Sequence, residues 1–420
     1  MKKKEKISEM NLNISNVEYE LSNYAELLKK AIVPGKGQSF KIQASVKNAN
    51  AFAKRRSQKL LRSAPSSNLV GLKVLIKKLY SDRVELIKQC SVNDLRRIVY
   101  SPQLMSFLEG QKLVACFIKK IGVKEFWQIA KKSIALPSTS LIHCSGYGEV
   151  FFIAWKNAAK DDGNDEFRKS IEEDLLMDVV FYAIRSDISI SKKFLAAILT
   201  FNKHINKQIG SLIYRIFQPN LWRNLKAVNQ IIRYNACCLF LPFYPILHED
   251  DFENNEIMIN QQKILLSLLH DESSSIRAQS VKRFLFILST YWNTFPTDFI
   301  KQSLATIVDS LSSDQVIDVR LAVYEGMHYL LSCSNAINAT EVALKCLMKK
   351  KGINDDNDKV RLQAFKLLNA LKRHRFIKVW DVVDIDDVLT CLELEESESV
   401  AEQRYISNDQ NLYNELQIMN

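Results

Sequence analysis

Apolar residues recur at three- and four-residue steps through most of this chain, the period of a helix that buries one face. FFIAWKNAA, IEEDLLMDVVFYAIRS, SKKFLAAILTFNKHI and IGSLIYRIFQPNLW each predict an amphipathic helix. DDGND (Asp161 to Asp165) and HEDDFENNE (His248 to Glu256) predict polar loops between them. Residues 1–15, 35–50 and 404–420 are polar and predict loosely ordered segments. The longest nearly unbroken apolar run, Cys237 to Leu247, is interrupted by Pro242 and Pro245. A membrane-spanning helix needs about 20 such residues, so no membrane segment is expected.

The second half repeats itself. Four stretches share an apolar helix, a short polar turn, and a β-branched residue followed by Arg that opens a second apolar helix. The marker pairs are Ile232–Arg233, Ile276–Arg277, Val319–Arg320 and Val360–Arg361, spaced by 44, 43 and 41 residues. Asp271, Asp314 and Asp355 each stand six residues before the Arg of their own copy, while the first copy has Ala227 there. That period is the one of HEAT-type helix pairs, in which each pair covers its neighbour's apolar face. The turn Asp is placed to accept from free backbone N–H groups at the start of the second helix. The Arg is placed to reach carboxylates or carbonyls of the adjacent turn and so tie successive repeats. A fifth, degraded unit is expected in DVLTCLELEESESVAEQ, where Val400 keeps the period but Ala401 replaces the Arg. The expected fold is all-α, an α-solenoid of HEAT-type helix pairs in an armadillo-like superhelix.

Composition sharpens this. Among 420 residues, 47% are apolar, while Gly (11) and Pro (8) are too scarce for a turn-dense β protein. The basic N-terminus has no apolar core behind it, so a soluble, intracellular chain is expected. The eight cysteines show no CxxC spacing and the six histidines do not cluster with them, which predicts free, mostly buried thiols and no metal site. His143–Cys144 lacks a supporting acid, and neither the GYG at 146–148 nor PGKGQS at 34–39 has the context of a phosphate loop. DVVDIDD (Asp381 to Asp387) reads as a solvated helix start. Neither an enzyme, a cofactor nor a small-molecule substrate is expected.

Charge is unevenly spread. The net is +11, yet residues 1–150 carry 27 basic and 11 acidic groups, against 31 and 36 in residues 151–420. Residues 41–90 hold 12 basic and only 2 acidic side chains. Lys54, Arg55, Arg56, Lys59, Arg62, Lys73, Lys77 and Lys78 are the candidate phosphate contacts, with a second candidate patch at Lys366, Lys372, Arg373, Arg375 and Lys378. No aromatic residue interleaves with the first cluster between Phe52 and Tyr80, which favours duplex backbone over stacked single strands. A solvated helix face, or a nuclear localisation signal in KRRSQKLLR, accounts for the same charge.

Two segments are more specific than the repeat pattern: RIFQPNLWRNLKAVN with the following IRYNA (Arg215 to Ala236), and KVW (Lys378 to Trp380). With the repeats, and in the same order, they resemble the non-SMC HEAT-repeat G-type subunits of condensin II. The resemblance covers roughly 147–402, is weaker over 50–146 and absent before that. It implies a non-catalytic scaffold that docks on the kleisin subunit, and through it on the SMC ATPase pair and the other HEAT subunit. It also implies contact with duplex DNA or chromatin during mitotic chromosome condensation, in the nucleus. Family members continue with further repeats, so a fragment, short isoform or truncated gene model is expected. The organisation expected is a disordered basic N-terminus (1–50), a basic helical region (51–146), the solenoid (147–403) and a polar tail (404–420). A protein-docking or nuclear-transport HEAT adaptor that leaves DNA alone is the rival expectation.

Overall fold

A computed structural model describes residues 66–99, 102–159, 165–248, 254–350, 352–372, 374–395 and 397–400. Both polar ends, and Lys54 to Arg62, lie outside these residues. Among the described residues every regular element is helical and no helix is long and apolar enough to cross a membrane. The chain divides into two compact units: one reaches Ala183 and includes Ser189–His204, the other takes Ile184–Ile188 and everything from Ile205.

The first unit contains α1 (Ser66–Ser81), α2 (Arg83–Gln89), α3 (Val92–Val99), α4 (Leu108–Ile121), α5 (Val123–Ala135), α6 (Leu141–Ala158), α7 (Asp165–Ser170) and most of α8 (Met177–Arg185) and α9 (Ile188–Ile198). A π-helical turn, Ile171–Leu176, joins α7 to α8. Its core is aromatic: Phe117, Phe126, Trp127, Tyr147, Phe151, Phe194 and Phe201 are almost fully buried. Edge-to-face contacts link Trp127 to Phe151 and Phe194. The two polar tips in this core are satisfied, since the Trp127 indole donates to Asp178 at 2.9 Å and the Tyr147 hydroxyl to Ser133 at 2.9 Å.

The GYG of α6 is a packing device. A Cβ on Gly146 would lie 2.1 Å from the Met105 carbonyl oxygen, and one on Gly148 would lie 2.0 Å from that of Ala197. Both positions let neighbouring backbone run against α6. His143 and Cys144 open this same helix, where the Ser140 hydroxyl accepts from the His143 N–H. Cys144 is buried, and burial pushes its thiol up to about 11, so it is not a poised nucleophile. Fewer cysteines are buried than expected: Cys90, Cys144 and Cys237 are, Cys116, Cys238, Cys333 and Cys391 are half-buried, and Cys346 is exposed.

The second unit contains α10 (Lys207–Phe217), α11 (Leu221–Asn224), α12 (Gln230–Phe243), α13 (Asn254–Leu269), α14 (Ser274–Thr290), α15 (Thr297–Ala305), α16 (Ile317–Leu331), α17 (Ile337–Lys350), α18 (Asp358–Leu371), α19 (Val379–Val382) and α20 (Ile385–Glu393). Helices α12, α14, α16 and α18, the second members of the repeats, stack in that order. Their apolar stripes close the core through Leu239, Phe284, Leu285, Val323, Met327 and Phe365. Close approach of α14 and α16 again needs a glycine, since a Cβ on Gly326 would meet Leu285 Cδ1 at 2.5 Å. This order of stacked helix pairs is the all-α solenoid read from the repeat period. HEDDFENNE is only partly a loop, because α13 begins at Asn254, whose side chain accepts from the His248 N–H.

Gly148→Ala should cost about 3 kcal/mol or more, because rigid backbone leaves a new methyl no room. Gly210→Ala, in α10 with nothing within 4 Å, should instead stabilise by about 0.5–1 kcal/mol. Chemical denaturation of the two variants checks the contrast.

Candidate functional site

Each marker arginine is the fourth residue of its helix: Arg233 in α12, Arg277 in α14, Arg320 in α16 and Arg361 in α18. From there the side chain reaches the turn before its own helix and the turn of the next repeat together. Arg320 shows the pattern. Its Nη1 donates back to the Asp314 carbonyl at 2.8 Å, while Nε and Nη2 donate to the two oxygens of Asp355 at 2.8 and 2.9 Å. The Asp355 carboxylate also accepts from the Asn357 N–H at 2.9 Å, fixing the turn that starts α18.

The same fork recurs. Arg233 holds Asp271 with both contacts at 2.9 Å, and Arg277 holds Asp314 at 2.8 and 3.1 Å. Asp271 in turn accepts from the Ser273 N–H and Asp314 from the Val316 N–H. Where the first copy has Ala227, its carbonyl oxygen still accepts from Arg233 Nη1 at 2.9 Å. The rungs sit in partial burial, with the Arg320 and Asp355 side chains 13% and 1% exposed. Bidentate charge-assisted bonds at that depth are worth more than surface ion pairs.

A fourth rung escapes the search for Asp. Arg361 donates from Nε and Nη2 to the Glu395 carboxylate at 2.7 and 2.8 Å, and Glu395 accepts from the Ser397 N–H at 3.0 Å. The degraded fifth unit therefore keeps its acid and lacks only its Arg. The signal was the offset: Glu395 stands five residues before Val400, as Asp355 does before Val360.

Burial works against the charged form of Asp271, but Arg233, the Ser273 N–H and Arg277 outweigh it and hold the carboxyl below its ordinary range. Hydrogen bonds to the acids, opposed by burial, raise Arg233, Arg320 and Arg361. The Arg233–Asp271 rung is thus charged on both sides at neutral pH.

The basic candidates separate in space. Lys73, Lys77 and Lys78 are exposed on α1, the first two one turn apart. Lys77 lies 3.9 Å from Glu109, but with the lysine 57% exposed that pair holds little of its charge. Lys54, Arg55, Arg56, Lys59 and Arg62 lie outside the described residues, as does Arg373. In the second patch Lys366 is exposed on α18, and Arg375 is exposed with its guanidinium 5.3 Å from the Phe376 ring. Lys372 and Lys378 are half-buried, the latter giving its backbone N–H to Asp381 at 3.0 Å. Asp381 and Asp384 of the acidic DVVDIDD are used locally, Asp384 accepting from the Asp386 N–H at the start of α20. Among the described residues no group of His, Cys, Asp and Glu is placed to hold a metal.

Comparison with known proteins places this geometry. Residues 97–248 match the family model for the condensin II non structural maintenance of chromosomes subunit. The human Condensin-2 complex subunit G2 is 27% identical over 303 residues, which is 68% of this chain and 25% of the human protein. That of Xenopus laevis is 27% identical over 321 residues, 74% of this chain and 26% of its own length. The chain thus spans about a quarter of the length of the curated relatives it matches. A solved structure of an engineered protein aligns over 83% of this chain at 15% identity with a TM-score of 0.35, too weak a likeness to bear on the fold.

Arg320→Ala should cost about 3–5 kcal/mol, because it leaves the Asp355 carboxylate buried without its guanidinium. An unchanged melting temperature would count against the rung. Asp271→Asn carries a pH signature. Its folded pKa lies below the ordinary 3.8, so the charged rung stabilises fully above that value and the benefit is lost as pH falls through the folded pKa. The wild-type advantage over Asn in thermal melts should therefore be flat near neutrality and shrink below pH 3.8.

The resemblance read from the repeats and from Arg215 to Ala236 is supported by both comparisons, which show this chain to be similar in sequence to the condensin II G-type subunits.

Proposed function

We propose that this chain serves as a non-catalytic scaffold in a condensin II complex at the chromosome. In this reading it docks on the kleisin subunit, and through it joins the SMC ATPase pair and the other HEAT subunit. The observation that carries the proposal is the family match over 97–248 together with the four G2 relatives. The ladder agrees with such a role, because a stack of rigid helix pairs offers long surfaces and spends its strongest polar groups on itself. Duplex DNA contact is assigned to the basic stretch ending in α1, where Lys73, Lys77 and Lys78 stand in solvent with no strong ion partner among the described residues. Backbone phosphates need only such charge.

Affinity capture of the tagged chain from nuclease-treated extract of dividing cells should recover a kleisin and the SMC pair. Recovery of nuclear-transport partners alone would favour the adaptor reading. For DNA, reversing Lys73, Lys77 and Lys78 to Glu should flatten the salt dependence of duplex binding by about 3 in log–log slope if each lysine neutralises one phosphate. Binding equal to wild type at every salt concentration would remove these lysines from the interface.

A further inference from the structure

Among the described residues, the stacked helices α12, α14, α16 and α18 contain one arginine outside the ladder, Arg283 of α14, and it lacks what every other one has. Arg233, Arg277, Arg320 and Arg361 each grip a carboxylate. Arg283 is half-buried, its Nε is fully covered, and no acceptor among the described residues meets that atom. Its guanidinium lies 4.5 Å from the ring of Phe286, which packs edge-on against Tyr329 of α16 at 5.2 Å. Tyr291, just past the end of α14, also neighbours Arg283 and stands 5.8 Å from Tyr244. The Tyr244 hydroxyl is likewise buried and unpartnered. Burial pushes the Arg283 pKa down.

A half-buried guanidinium whose covered Nε has no acceptor is costly, and cation–π contact offsets only part of that cost. Glu325, four residues before Tyr329, is taken by Lys282 at 2.7 Å. That pair also argues against a nucleic-acid backbone as the missing partner, since phosphates need several free cations and no fixed carboxylate beside them.

We propose that Arg283, walled by Phe286, Tyr291 and Tyr329, is a docking point for an acidic linear segment of a partner protein. An Asp or Glu carboxylate of that segment enters the guanidinium fork, and an adjacent apolar side chain lies on the Phe286–Tyr329 pair. Planar carboxylate geometry suits the terminal Nη edge of a guanidinium stacked on the Phe286 ring. The proposal stands independently of the condensin reading.

A random dodecapeptide phage library panned on the full 420-residue chain tests this. Enriched peptides should carry Asp or Glu next to an apolar residue, and a synthetic representative should bind Arg283→Met at least about tenfold more weakly. Arg283→Met should melt no lower than wild type, because it removes an uncompensated charge and keeps the stem. Arg283→Lys, which keeps charge but loses the fork, should also weaken the peptide several-fold. No enrichment, enriched peptides without acid, or equal binding to Arg283→Met would overturn the site. So would a large loss of melting temperature in both variants, which would make Arg283 a structural cation.

Discussion

The second unit depends on one bond pattern, the arginine fork that bridges the start of one helix to the turn before the next. A helix start has backbone N–H groups with no internal partner, and the turn before it has carbonyl oxygens in the same state. The rung answers both at once. The acid accepts an N–H of its own turn, and the arginine covers carbonyls of the preceding turn while gripping that acid. Because the same carboxylate serves the local turn and the neighbouring repeat, local helix initiation and long-range stacking become one interaction. Repeats so joined transmit order to the next repeat, which is how a quasi-one-dimensional fold gains cooperativity.

The first unit reaches stability by another route. Among its described residues there is no such ladder, and its helices are held by an aromatic core and by glycines that let backbone touch backbone. Its ion pairs are isolated and do not form a ladder: Lys169 to Glu173 is largely exposed and adds little, while Arg168 to Glu172 and His204 to Glu149 are half-buried.

What could be read from the residues follows from how local each feature is. A rung ties two positions at fixed offsets from helix starts, so a period of 41 to 44 residues and a six-residue Asp-to-Arg spacing were enough to lay it out. Glu395 lay within reach of the same offset, and fixing the acid as Asp passed over it. The packing role of Gly146 and Gly148 was not legible, because their neighbours Met105 and Ala197 are some forty to fifty positions away. Arg283 looks like any helical arginine in the sequence. Its lack of a partner is a property of the space made by α14, α16 and the Tyr291 connection, which no spacing rule describes.

The ladder also decides which charges are left for other molecules. Four arginines of the stacked helices are consumed internally, and residues 151–420 carry more acidic than basic groups. That excess of acid makes the repeats as a whole poorly suited to a broad attraction for polyanions, which is why the proposed duplex contact is put on the lysine-rich stretch that precedes them. Within the stacked helices, the one arginine outside the ladder among the described residues is Arg283, and the recognition proposed for it is local, carried by that guanidinium and the rings beside it. Scaffolding and recognition are thus divided by side-chain type: forked arginines with carboxylates hold the stack, free lysines face solvent, and the arginine left without a carboxylate marks where a partner's carboxylate fits.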